Sequence, residues 1–268
     1  MSKPKALILT GYGINCEEET AKSFAQAGAI PKVVHINDLI DNPKSLNNYQ
    51  ILAYPGGFSY ADDTGAGNAL ANKLKNNLQE EIFNFAKQDK LIIGICNGFQ
   101  MLANTGLAPA TNNQYGKREV ALMHNKTARL ECRWIHLKNT SKKCVWTKGI
   151  DVIHLPIAHG EGNFYTDQKT LSHMQTNNQI VFKYVKPDGS PAASIYPFNP
   201  NGALEDIAGI CDESGRILGM MPHPERFTSF TNNYDWPLLK EELIRQNLPI
   251  PKEGEGLKIF KNAVKYFQ

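Results

Sequence analysis

The stretch 91–100, LIIGICNGFQ, constrains this chain more than any other. Leu91, Ile92, Ile93 and Ile95 form a short continuous apolar run, the pattern of a strand buried on both faces, and Phe99, Met101 and Leu102 resume at helical spacing. The chain must therefore turn sharply at Cys96. Gly94 and Gly98, two residues either side, complete the G-x-nucleophile-x-G frame of a strand-to-helix elbow. In such an elbow small neighbours relieve crowding and the central side chain is pushed out above the sheet edge. Cys96 then sits at a helix N-terminus, where free N–H groups and the helix dipole favour a thiolate. A single intracellular cysteine is more often an inert core residue. The paired glycines and the strand-to-helix switch weigh against that reading here.

The residues before the elbow set its frame. A first strand is expected at 6–10, broken by Gly11-Tyr12-Gly13, with Asn15 capping a helix whose first turn carries Glu17, Glu18 and Glu19. A dinucleotide loop is excluded, because the third glycine of that fingerprint would fall at Cys16. The helix runs to Ala27 and stops at Gly28; strands follow at 33–36 and 51–54, the latter ending in Pro55-Gly56-Gly57. Two glycines at the carboxyl end of a parallel strand allow close backbone approach to a ligand, and that end is where doubly wound sheets bind ligands. A polar loop, 58–67, leads into a long helix at 68–87. Asp62 and Asp63 lack further acids nearby and read as turn residues rather than metal ligands. The order β-α-β-β-α-β-α predicts an α/β fold: a doubly wound, mostly parallel sheet with helices on both faces.

From 116 to 195 the pattern changes to short alternating runs at 128–137, 152–157, 180–185 and 192–196, an antiparallel extension of the same domain. His159-Gly160-Glu161-Gly162 closes the run IHLPIA, where the histidine is as readily a turn residue as a ligand contact. Strands at 207–211 and 217–221 flank the turn 212–215. The second ends in Pro222-His223-Pro224-Glu225-Arg226, a histidine locked between prolines with a carboxylate two residues on. Leu257, Phe260, Val264 and Phe267 make one helical stripe that should dock on the core. Residues 227–256 carry no clear signal. The whole of 1–268 therefore reads as one domain closed by a docking helix at 257–268.

Composition removes several classes of function. The chain has 268 residues with a net charge of only +3 and no basic block, so no nucleic-acid footprint stands out. No apolar run approaches the about 20 residues needed to span a bilayer, and no signal-peptide core is apparent, so a cytoplasmic protein is expected. The five cysteines are widely spaced, with no C-x-x-C pair. Cys132 and His136 fall on one face of a strand, and no metal site is expected there.

A thiolate nucleophile needs a base, and the base needs a group to orient it. His223 suits the first role and Glu225 the second, because the carboxyl ends of their strands should lie along the same sheet edge as Cys96. By elbow geometry the backbone N–H groups of Asn97 and Gly57 supply the oxyanion hole.

These residues resemble the class I glutamine amidotransferases, whose triad is Cys-His-Glu and whose fold is flavodoxin-like. Gly56 to Tyr60 (GGFSY), the ICNGFQ elbow, PIAHGEG at 156–162, Asn199-Pro200-Asn201-Gly202 and GMMPHPER at 219–226 resemble, more narrowly, the glutaminase subunits of phosphoribosylformylglycinamidine synthase in purine biosynthesis. The resemblance implies that Cys96 attacks the side-chain amide of glutamine, releases ammonia, and is freed by water as glutamate leaves. It places Gly56, Gln100 and His159 at the substrate. It also implies that ammonia passes to a separate synthetase subunit, with a small assembly subunit as a further candidate partner. ATP and magnesium belong to that synthetase, and this chain needs no cofactor or metal. Two departures stand out: Ala61-Asp62-Asp63 where the family commonly has Gly-Asp, and Asn201-Gly202-Ala203 where Asn-Gly-Ser is usual. Rival readings are an amidotransferase feeding another synthetase and a related thiol or ester hydrolase, the latter disfavoured by the order of histidine before acid. A third, a non-catalytic scaffold, predicts decay at Cys96, His223 or Glu225, and all three are present.

Overall fold

The computed structural model describes residues 3–268. Its centre is a nine-stranded sheet ordered β2-β1-β3-β4-β11-β10-β9-β6-β7. The parallel half comprises β1 (Lys5–Thr10), β2 (Ile30–His35), β3 (Ile51–Tyr54), β4 (Leu91–Ile95) and β11 (Ile217–Met220). Helices α1 (Glu17–Ala27), α2 (Ile36–Asp41), α3 (Asn68–Lys87) and α4 (Asn97–Thr105) connect these strands. β3, β4 and β11 are buried throughout, which is why they read as unbroken apolar runs.

The antiparallel half is β10 (Ile207–Cys211), β9 (Ile180–Val185), β6 (Glu131–Asn139) and β7 (Val152–His159). A separate ribbon pairs β5 (Val120–Met123) with β8 (Asn163–Thr166), and α5 (Gln168–Thr176) follows it. The chain closes with α6 (Trp236–Arg245) and α7 (Leu257–Lys265). α7 buries Leu257, Phe260 and Val264 as the stripe predicts, and Phe260 meets Phe24 of α1 edge-on at 4.9 Å. Phe267, beyond the helix, is only partly buried.

Several expectations are corrected. The order at the start is β-α-β-α-β-α-β-α: β2 begins at Ile30, and Ile36, expected in that strand, opens α2 because the His35 side chain accepts from the Asn37 N–H and caps a helix there. Asn15 does not cap α1; Cys16 occupies the N-cap without a side-chain capping bond. No strand forms at 192–196, where Ala193 and Ser194 adopt left-handed backbone and the Asp206 carboxylate accepts from the Ser194 N–H. β6 starts at Glu131 rather than 128, since Ala128 is also left-handed. β5, β8, α5 and α6 lie outside the elements that the sequence pattern indicates. α6 buries none of its residues, so its pattern lacks the core-facing stripe that marks most helices.

The register positions the site. β4 lies between two parallel partners, with Gly94 level with Tyr54 of β3 on one side and Gly219 of β11 on the other. The segments leaving these three strands, 55–58, 96–98 and 221–225, therefore emerge side by side on one sheet edge.

Candidate active site

Cys96 stands between β4 and α4 with φ 53° and ψ −109°, a strained backbone for a residue with a β-carbon. The elbow survives because its neighbours are glycines. A β-carbon on Gly94 would lie 2.6 Å from a Leu102 methyl, and one on Gly98 would overlap the Tyr54 carbonyl. The Cys96 N–H donates to the Met220 carbonyl at 2.8 Å, which ties the nucleophile's backbone to β11. Its side chain is 3% exposed, with Sγ 3.8 Å from the Ala158 carbonyl oxygen.

His223 and Glu225 arrive from the end of β11. Nδ1 of His223 lies 2.6 Å from Oε1 of Glu225, and the His223 N–H donates to the Pro156 carbonyl at 2.9 Å. Both side chains are buried. Burial alone would push the imidazole's pKa down, but the Glu225 carboxylate and then the Cys96 and Cys16 sulfurs outweigh it and hold the pKa well above the usual histidine range. Nε2, buried and without a hydrogen-bond partner, is the atom left to serve Cys96.

The backbone N–H groups of Asn97 and Gly57, expected to form an oxyanion hole, donate to no backbone carbonyl among the described residues. Asn97 opens α4, so its N–H has no intrahelical partner. Gly57 pairs with Ile14 in an antiparallel bridge whose bonds are made by the Asn15 and Phe58 N–H groups, so the Gly57 N–H is not consumed. Gly56 turns its carbonyl to the Asn15 and Cys16 N–H groups and backs the His223 ring, its missing β-carbon lying 2.8 Å from Cε1.

Gln100 and His159 are both buried. The Gln100 side chain is committed at both ends, accepting from Asn97 Nδ2 at 2.9 Å and donating to the Glu161 carbonyl at 2.6 Å. A cavity of about 120 Å³ opens beside it, lined also by Asn104, Arg118 and Glu161. The His159 ring has no hydrogen-bond partner on either nitrogen, and burial, then the charge of His223, lower its pKa to about 3. It is neutral at ordinary pH. Gly162 leaves room for that ring, so the HGEG turn is packed rather than merely exposed. A separate cavity of about 520 Å³ lies between Lys138, Lys183 and Asp206 and includes none of these residues.

Other residues at the site carried little or no sequence signal. Asp62, read as a turn residue, is half-buried, accepts from Asn97 Nδ2 at 3.2 Å, and has its pKa raised to about 6 by burial and then by Glu161. Asn125 and Asn201 hold the HGEG turn by bonds to the His159 carbonyl, the Gly162 N–H and the Gly162 carbonyl. Asn201 lies in the Asn-Pro-Asn-Gly motif; Asn125 stands in no recognisable pattern. Cys16, at the start of α1, accepts from Arg226 Nη2 at 3.1 Å. Ligand atoms of Cys16, His223 and Glu225 lie within 4.8 Å of one another, the group among the described residues with metal-binding chemistry. Cys132 is exposed and forms no such group with His136.

Residues 3–267 match the CobB/CobQ-like glutamine amidotransferase domain. The chain belongs to this glutamine amidotransferase family. Within it, the chain is 54% identical to the phosphoribosylformylglycinamidine synthase subunit PurQ of Methanococcus maripaludis, over 98% of this chain and 97% of that protein. It is 46% identical to the subunit of the same name from Dehalococcoides mccartyi, over 99% and 98%. The amidotransferase fold superposes on a chain of the PurLQS structure from Thermotoga maritima with a TM-score of 0.73 at 27% identity, covering all of both chains. This amidotransferase is thus of the PurQ type along its whole matched length, including 227–256. No helix among its described residues is long and apolar enough to cross a membrane.

Proposed function

We propose that this chain is the glutaminase subunit of a phosphoribosylformylglycinamidine synthase, with Cys96, His223 and Glu225 as its catalytic triad. The observation that carries the reading is the convergence of an elbow cysteine and a buried His–Glu pair on adjacent strand ends, in a chain of the PurQ family. His223 takes the Cys96 proton through Nε2, and Glu225 stabilises the imidazolium. Sγ then attacks the glutamine side-chain carbonyl carbon, and the oxyanion forms toward the Gly57 and Asn97 N–H groups. Collapse breaks the C–N bond, and the leaving nitrogen departs as ammonia with the proton from His223. A water, deprotonated by His223, next attacks the γ-glutamyl thioester, releasing glutamate and restoring the thiol.

Gly56, Gln100 and His159 shape the glutamine site in this scheme. Gln100 acts through the bonds it makes to Asn97 and Glu161, and His159 offers a neutral ring nitrogen. Ammonia passes to a synthetase subunit, which uses ATP and magnesium to convert formylglycinamide ribonucleotide to its amidine. Burial of Cys96 favours a partner that opens the site and shields the ammonia from water. The test is glutamate release by wild type and Cys96→Ala, with and without the synthetase and its other substrates. Release that needs Cys96 and rises with that synthetase is expected. No dependence on Cys96 overturns the triad, and activation only by a different synthetase overturns the pathway while keeping the chemistry.

A further inference from the structure

Cys16 has no step in this scheme, yet its sulfur is buried against the triad. It occupies the N-cap of α1 without capping the helix; its thiol donates to Asn15 Oδ1 at 3.2 Å, and the sulfur also faces other segments. Its N–H donates to the Gly56 carbonyl at 3.2 Å, and its sulfur accepts from Arg226 Nη2 at 3.1 Å. We infer that Cys16 is a positioning residue: its sulfur anchors the Arg226 guanidinium and so holds the turn bearing His223 and Glu225 against the Gly56–Gly57 strand end. This rests on the glutaminase reading above.

Two observations converge on it. A β-carbon built on Gly56 would lie 3.3 Å from the Cys16 sulfur and 2.8 Å from His223 Cε1, so sulfur and imidazole press on the same point of backbone. Arg226 follows Glu225 directly in the chain, and its guanidinium reaches back over that turn to α1. One residue thus joins three strand-end segments, through its N–H to 56 and its sulfur to 226. The donor set Cys16, His223 and Glu225 has the chemistry of a soft-metal site, but the guanidinium already directs a cation at the sulfur, and a dication beside it would be repelled. A charge-assisted bond of this kind is stronger than a neutral one and more directional than packing alone. The charged and titratable groups facing the turn are Glu19 of α1 and Glu225 around Arg226, and Cys96 and His159 around His223. The Cys16 sulfur also favours the protonated imidazole, which supports the same placement.

The experiment measures glutamate release with the synthetase present for wild type, Cys16→Ala, Cys16→Ser, Arg226→Met and the Cys16→Ala/Arg226→Met double variant. Cys16→Ala should lower kcat about tenfold or more, the scale of a misplaced catalytic group, with KM for glutamine within about twofold. The alkaline limb of its pH–rate profile should move to lower pH, because the protonated imidazole loses a supporting neighbour. Cys16→Ser, which keeps an acceptor, should recover most of the rate, and the double variant should be no worse than the weaker single. If Cys16→Ala does not fold, Arg226→Met carries the test with the same loss in kcat and KM again within about twofold, but without the pH shift, because the Cys16 sulfur stays beside the imidazole. Wild-type rates in these variants, equal impairment by Ser and Ala, or losses that multiply in the double variant overturn the inference alone. An inactive wild type overturns the glutaminase reading and this inference with it.

Discussion

Gly56→Ala tests the packing behind His223: the added methyl presses first on the imidazole, 2.8 Å away, and second on the Cys16 sulfur, 3.3 Å away. Gly56 is not in the left-handed region, so alanine meets no backbone strain there, and the whole effect comes from the added methyl. That methyl would stand 2.8 Å from His223 Cε1, against the roughly 3.5–4.0 Å of an unstrained carbon contact. The imidazole must therefore yield by close to about 1 Å, given that contact distance. It has little freedom to do so, because Nδ1 is held by Glu225 at 2.6 Å and the His223 N–H by the Pro156 carbonyl at 2.9 Å. A displacement of that size at a reacting group costs on the order of a hundredfold in rate. The overpacking itself should cost about 1–3 kcal/mol of stability, leaving the protein folded. The assay is steady-state glutaminase activity beside a thermal melt, with Gly160→Ala as the comparison, since a β-carbon there meets nothing within 4 Å. A Gly56→Ala rate within about threefold of wild type, in a folded protein, would refute the claim that this glycine backs the catalytic imidazole; the margin is set against that hundredfold expectation.

Other variants probe separate parts of the account. Glu225→Gln should keep the fold but lower kcat by about three to four orders of magnitude, the scale seen when the acid that orients a catalytic histidine is amidated; steady-state kinetics decides it. The raised pKa of His223 adds stability that is fully present below about pH 6.5 and is lost as pH rises through the folded value. Urea titrations at pH 6 and 9 should show that loss, and Glu225→Gln should shrink it. His159 has the opposite sign: its pKa of about 3 means the unfolded chain binds the proton first, so stability falls as pH drops from about 6.5, by up to about 1.4 kcal/mol per unit. His159→Gln should reduce the difference in unfolding free energy between pH 7 and 5. Gly98→Ala drives a β-carbon into the Tyr54 carbonyl and should cost more than about 4 kcal/mol, read as loss of soluble folded protein. Leu238→Lys on the exposed α6 should leave the melting temperature nearly unchanged, within about 0.5 kcal/mol.

The parallel half of the fold, and the elements that carry Cys96, His223 and Glu225 of the proposed triad, were legible because each depends on local chemistry. An unbroken apolar run, a glycine two residues either side of a cysteine, and a histidine between prolines each carry their meaning within a few residues. Their meeting was legible only as a consequence of strand ends sharing one edge, and the register of β3, β4 and β11 provides the geometry. What escaped the sequence was non-local. Cys16 looked like a failed glycine in a dinucleotide loop, because nothing near it indicates Arg226. Asp62 looked like a turn, because its partner Asn97 lies across the elbow. β5 and β8 are four-residue strands whose apolar faces are too short to display a period, and α6 has no buried face to reveal one. At 192–196 the alternation was real, but left-handed backbone at Ala193 and Ser194 prevents a strand.

The most direct test of the central claim is to trap the intermediate. The chain is mixed with glutamine and the activating synthetase, quenched in acid at short times, digested, and analysed by mass spectrometry for a γ-glutamyl thioester. The account predicts the adduct on the peptide containing Cys96, with more of it accumulating if water's attack is slowed, and none in Cys96→Ala. A γ-glutamyl adduct on Cys16, or glutamate release with no adduct on Cys96 at any time, would contradict it.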